Sequence, residues 1–102
     1  MKRSVFSVAV FLLLALSAYG EGQQDGKADF DMFCSGCHPQ GGNALNPAKT
    51  LRKMEREANG VRNAADIVRI MRKPGAGMRA YTRDDIPDKR AKAIAEYILA
   101  TF

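Results

Sequence analysis

Both cysteines and the single histidine of the chain fall within five consecutive residues, Cys34-Ser35-Gly36-Cys37-His38. On a helical turn, Cys34 and Cys37 stand at i and i+3 and His38 follows Cys34 by four, so all three side chains leave one face. A porphyrin lying against that face can be bonded at two neighbouring vinyl groups by the thiols while the imidazole reaches the iron between them. The motif therefore reads as the attachment site of one haem c, covalently bound through Cys34 and Cys37 with His38 as an iron ligand. No cysteine or histidine remains for a second haem. Whatever the chain folds into must bring this turn against a haem-sized space.

Two other uses of a C-x-x-C pair compete with this reading. A structural zinc site needs four protein ligands, and no further Cys or His is present to complete a tetrahedron. A dithiol oxidoreductase leaves His38 unexplained and normally sits on a βαβ scaffold, of which the sequence shows no sign.

Residues 1–20 have the make-up of a secretory signal peptide: Lys2 and Arg3 open it, an apolar run from Val5 to Ala18 follows, and Ala18-Tyr19-Gly20 offers small residues for cleavage. The run is shorter than the roughly 20 residues of a membrane span, and no cysteine stands directly after it to carry a lipid. The expectation is an exported chain, not membrane-embedded, whose domain covers residues 21–102. Removing Lys2 and Arg3 from the 16 basic residues leaves 14 against 11 acidic ones, a formal +3. That balance gives no reason to expect a nucleic-acid partner. A domain of this size buries a small core and usually needs a staple, which a buried haem would supply.

Along the domain, residues 21–26 read as a polar, frayed lead-in. Phe30, Phe33, Cys34 and Cys37 recur at spacings of three and four, so a first helix is expected over 27–37, carrying the haem motif at its end. Pro39 and Gly41-Gly42-Asn43 close it. A second helix is expected from Pro47 to Ala58, with Leu51, Met54 and Ala58 on one stripe and Asn59-Gly60 as its stop. Asn63-x-x-Asp66 resembles a capping box for a third helix through Ile67, Ile70 and Met71, ending before Pro74. Pro74 to Tyr81 has no period and reads as loop. Ala91, Ile94, Ala95, Ile98 and Leu99 mark a last helix, which Pro87 places near a start at Asp85 with the proline in the first turn. No segment alternates with period two, so the domain is expected to be all-α.

A six-coordinate iron must take its sixth ligand from something other than histidine, and a methionine thioether is the usual neutral choice. Met32 is two residues before Cys34 and points away from the attachment face. Met54 and Met71 lie on apolar helical stripes, where core packing is the ordinary role. Met78 stands in a glycine-rich loop with no packing stripe around it, and is the candidate ligand. With His38 and Met78 both bound, no substrate can reach the iron, and one-electron transfer is the chemistry left.

Taken in order, these residues resemble the class I c-type cytochromes, most nearly the soluble photosynthetic type that stands in for plastocyanin and its bacterial relatives. Gly26, Phe30 and Cys34, each four apart, match the family's glycine, aromatic and first haem cysteine. Gly41-Gly42-Asn43 and Pro47-Ala48-Lys49-Thr50-Leu51 match the loop after the haem histidine. Met78-Arg79-Ala80-Tyr81 stands where the family has methionine, proline, alanine and an aromatic, and Ala95-Glu96-Tyr97-Ile98 matches its final helix. The resemblance implies about four helices around one haem. It also implies a crossing of the first and last helices at Gly26, Phe30 and Tyr97, and a Pro47 carbonyl bonded to the second nitrogen of His38. Two departures stand out: Arg79 replaces the proline after the methionine, and about five residues within 85–90 look inserted before the last helix.

The implied function is that of a monomeric, monohaem electron carrier rather than an enzyme, working between redox protein partners in a bacterial periplasm, or in a thylakoid lumen if photosynthetic. Arg69, Arg72, Lys73, Arg79 and Arg83 flank the Met78 loop and are either ordinary solvated surface or a docking patch for an acidic partner. Two alternatives stay open: a haem subunit of a larger oxidoreductase, and a gas or peroxide binder should Met78 not ligate.

Overall fold

Apolar residues spaced by three and four at both ends of the domain become two long helices that cross, and the rest of the chain is folded against them. The computed structural model describes residues 21–102, with side chains described from Gly26 onward; the expected export signal lies outside the described residues. The helices are α1 (Glu21–Phe33), α2 (Lys53–Ala58), α3 (Ala64–Arg72) and α4 (Asp88–Thr101), with 3-10 turns at Pro39–Gly41 and Pro47–Lys49. Among the described residues there is no strand, as the absence of period-two alternation requires.

The crossing of α1 and α4 is set by Gly26. A Cβ on this residue would run into the Ala93 carbonyl and lie 3.1 Å from the Tyr97 Cβ, so only hydrogen lets the two backbones approach so closely. One turn on, the Phe30 ring packs 5.4 Å from Tyr97 and 5.5 Å from Phe102, both at tilted angles that ring quadrupoles favour. Ile94, Ala95 and Ile98 of α4 and Ile67 and Met71 of α3 complete the buried core with Val61, Ile86 and Ala91. The expected crossing of the first and last helices at Gly26, Phe30 and Tyr97 is thus present.

Helix boundaries differ from the sequence expectation in three places. First, α1 begins at Glu21 and ends at Phe33. Glu and Gln are good helix formers, so a polar lead-in need not fray. At the other end the Phe30 carbonyl accepts from both Cys34 and Ser35 N–H, at 2.9 and 3.0 Å, which ends the regular ladder. The haem motif therefore occupies the turn after α1.

Second, the expected helix from Pro47 to Ala58 is two pieces. Asn46 caps the Pro47–Lys49 turn by accepting from Ala48 N–H, and Thr50 is extended at ψ 168°, so the ladder cannot continue into α2. Its six residues are too short to carry the expected stripe, and Met54 is 80% exposed rather than core. The Asn59-Gly60 stop does form. Gly60 N–H donates to Glu57 O and Val61 N–H to Arg56 O, with Gly60 at φ +77°, the bond pair of a Schellman motif.

Third, α4 starts at Asp88 with Pro87 as its cap. Thr82 and Asp85 do make reciprocal capping bonds, Asp85 N–H to Thr82 Oγ1 at 3.2 Å and Thr82 N–H to Asp85 Oδ2 at 3.0 Å. They cap a single turn, closed by Ile86 N–H on Thr82 O, because Pro87 has no N–H with which to extend it. By contrast α3 runs as read: Asn63 Oδ1 accepts from Asp66 N–H at 2.9 Å, and the helix stops before Pro74.

Candidate functional site

Between the turn after α1, the 43–51 loop, α3 and the Met78 loop lies a cavity of about 430 Å³, within the size range of small-molecule and cofactor pockets. Its floor is core: Ile67, Met71 and Ile98 are each under 7% exposed. Cys34, Cys37 and His38 line one wall and Gly77, Met78 and Tyr81 another. The fold thus brings the sequence-selected attachment residues and the selected methionine to a single space. Pro47 is exposed and does not line it.

The attachment wall keeps helical geometry without being part of the helix. His38 N–H donates to Cys34 O at 2.9 Å, an i to i−4 bond, so Cys34 and His38 remain one turn apart as the motif requires. Cys34 is half-buried, and burial pushes its thiol up to about 11, with the charge of Asp29 adding to the effect. Cys37 is exposed. In the free polypeptide Cys34 is therefore a neutral thiol at physiological pH.

His38 Nδ1 lies 2.7 Å from the Gly42 carbonyl oxygen. This is the bond that the family resemblance assigned to Pro47. The reason for the change is local: Gln40 at φ 54° and Gly41 at φ 77° turn the backbone sharply, and Gly42 N–H closes on Pro39 O at 2.9 Å. That turn swings the Gly42 carbonyl back onto the ring. Gly41 is also the floor under the Phe102 ring, which a Cβ would strike. A carbonyl acceptor requires the proton on Nδ1 and leaves Nε2 with its lone pair, the form that ligates a metal.

The loop opposite is held by Asn43, whose Oδ1 accepts from Leu45 and Asn46 N–H and whose Nδ2 donates to Lys49 O, at 2.8 to 2.9 Å. Arg56 backs the same side. Only 6% exposed, it donates from Nε to Leu51 O at 2.7 Å. Among the described residues no ion pair involves it, so the cavity wall carries a cation.

Met78 is half-buried, in a loop where Gly77 alone has a positive φ, at 90°. The loop is tied down at its far end by Tyr81, whose N–H donates to Met71 O at 2.8 Å and whose hydroxyl donates to Phe33 O at 2.9 Å, just before the first cysteine. Burial raises the Tyr81 phenol above its ordinary value, so it stays a donor.

The donor set fits a haem: one imidazole in the ligating tautomer, one thioether, two thiols a turn apart and an apolar cavity between them. A bare metal ion is a poorer match, since among the described residues no three His, Cys, Asp or Glu side chains converge. The basic cluster is a different matter. Arg69 pairs with Asp66 at 2.9 Å, Arg72 with Asp88 at 2.8 Å, Arg83 with Asp88 at 3.1 Å and Arg79 with Asp85 at 3.6 Å. Four of its five cations therefore face carboxylates of this chain.

Comparison with known proteins places this geometry. A family described as cytochrome c oxidase, cbb3-type, subunit III matches residues 21–98. Cytochrome c6 of Rippkaea orientalis is 34% identical over 98 residues, which cover 94% of this chain and 87% of the relative. Cytochrome c6 of Synechocystis sp. is 38% identical over 74 residues, 72% of this chain but only 61% of that protein. Among solved structures, outer membrane cytochrome F of Geobacter sulfurreducens is 47% identical at a TM-score of 0.74, over 76% of this chain and 98% of that one. Cytochrome c6C of Synechococcus sp. PCC 7002 is 29% identical at a TM-score of 0.70, over 74% and 92%.

Proposed function

Because the chain belongs to the c-type cytochrome family that this cbb3-type subunit III description covers, and is a class I cytochrome close to the c6 type, we propose that it is an exported, monomeric one-electron carrier whose single haem is ligated by His38 and Met78. When bound, the haem supplies exchange of one electron between ferrous and ferric iron. The residues of the chain do the rest. Cys34 and Cys37 would hold it covalently, His38 would offer Nε2 with Nδ1 engaged by Gly42, and Met78 would supply a thioether ligand. Arg56 provides a cation for a propionate, and the Ile67, Met71 and Ile98 floor excludes water. A thioether and an apolar surround both favour the ferrous form, giving a positive reduction potential.

The observation that carries this reading is the position of Met78 on a wall of the cavity that the attachment motif also lines. The test is Met78→Ala in the holoprotein. Loss of the near-infrared thioether-to-iron charge-transfer band and new carbon monoxide binding to the reduced protein are expected. Retention of the band would remove Met78 as a ligand.

For partners, the pairing of four cluster arginines with aspartates argues against a strong electrostatic patch. Docking through the mouth of the cavity, where Leu45 is 69% exposed beside Gly77 and the Arg79 charge is met by Asp85, fits better. The electron-transfer rate to an acidic partner is expected to change by less than about threefold between low and physiological salt, where unpaired steering cations would change it about tenfold or more. The matching family description, a subunit of an oxidase, favours one second reading, a haem subunit held in a larger complex; co-purification of the tagged chain with other subunits would replace the free shuttle by that reading. The periplasm or, for a photosynthetic source, the thylakoid lumen is the compartment proposed.

A further inference from the structure

We propose that Arg72 is a positioning residue for the iron's sixth ligand, holding the Met78 loop closed by gripping its C-terminal arm. The proposal rests on the reading of Met78 as that ligand. The loop itself offers few restraints: Gly75 and Gly77 flank the methionine's approach, and Arg79 follows it where the family has a stiffening proline. Ala76 and Gly77 form a turn, but no described backbone bond joins residues 75–80 to another element, so the main restraint must come from the loop's ends.

At the end of α3, one guanidinium supplies it. Arg72 Nη1 donates to the carbonyls of Thr82 and Ile86 at 2.9 and 2.8 Å and lies 3.2 Å from that of Tyr81, while Nη2 meets Asp88 Oδ1 at 2.8 Å. Nη1 has two hydrogens for three carbonyls, so at least one bond is shared. Ile86 and Asp88 belong to the stretch that looks inserted relative to the family, so the insertion provides half of the acceptors. Arg72 Nε is buried with no hydrogen-bond partner. A side chain that accepts an unsatisfied N–H to reach four acceptors is seated for the sake of those acceptors. Arg79 adds a second strut, stacking 4.9 Å from the Tyr81 ring and reaching Asp85.

Loosening the clamp raises the fraction of molecules in which Met78 has left the iron, and an exogenous ligand reads that fraction directly through its apparent affinity. The probe is imidazole, titrated into the ferric holoprotein and followed by loss of the near-infrared band. Arg72→Gln is expected to tighten apparent imidazole binding at least about fivefold, with Arg72→Lys in between and Asp88→Asn tightening it about twofold. Gly26→Ala, which weakens the distant α1–α4 crossing, is expected to leave imidazole binding unchanged, and so separates clamp from general instability. Wild-type imidazole affinity in Arg72→Gln overturns the proposal; should that variant yield no holoprotein, unchanged affinity in both Arg72→Lys and Asp88→Asn does so instead. Met78→Ala separates the two claims. If it keeps the band, the ligand assignment fails, and the clamp's role with it. If it loses the band while Arg72→Gln binds imidazole like wild type, the clamp alone fails.

Discussion

Gly26 shows how much a single missing side chain decides. In a free helix, alanine in place of glycine gains roughly 0.5–1 kcal/mol of backbone entropy. Here the new Cβ meets the Ala93 carbonyl, a backbone group that cannot rotate away. The collision wins, and Gly26→Ala is expected to destabilise the holoprotein by about 1–3 kcal/mol, measured by denaturant unfolding. This residue was legible in the sequence because its spacing to Phe30 and Cys34 has meaning. The Gly42 carbonyl was not, since a backbone acceptor leaves no mark on residue identity and the turn that delivers it depends on two positive φ values. Arg72 was legible only as one of five cations; that it serves as an internal brace follows from carbonyls that tertiary folding brings within its reach.

At the scale of elements, α1 and α4 are joined by charge as well as by aromatic packing. Asp29 is buried and accepts a two-point bond from Arg90, at 2.6 and 2.9 Å, and hydrogen bonding to this guanidinium holds its carboxyl below the ordinary 3.8. A carboxylate with a depressed folded value stabilises the fold above its unfolded value and stops doing so as pH falls through the folded one. Asp29→Asn is therefore expected to cost about 1–3 kcal/mol at pH 7, between the range of exposed and buried pairs. The gap between variant and wild type should close in acid, where Asp29 is itself protonated. Denaturant unfolding at neutral and acidic pH checks both. The sequence showed these two helices by their apolar period, and showed α3 by its period and cap. It misplaced the piece between Pro47 and Ala58 because an apolar stripe was read through Thr50, whose extended backbone separates two short elements. It placed the start of α4 three residues early because a real capping box closes only one turn.

At the scale of the whole, the described residues form a shell of four α-helices whose cavity floor is also their core. Ile67, Met71 and Ile98 belong to both, so without a haem these side chains would border an open space and lose packing on one side. A Cys34→Ala, Cys37→Ala double variant is expected to lose its cooperative thermal melt and much of its helicity, measured by circular dichroism. A native-like melt would show that the polypeptide stands alone. The methionines divide along the same inside-outside line. Met71 is 4% exposed, whereas Met32 and Met54 are 71% and 80% exposed and pack against little. Sulfoxide formation follows access and harms a protein mainly where a thioether is packed or bonded. During a working life among oxidants, damage would therefore collect first at two places where it costs nothing, and wear on the surface would precede any loss of the protein's colour.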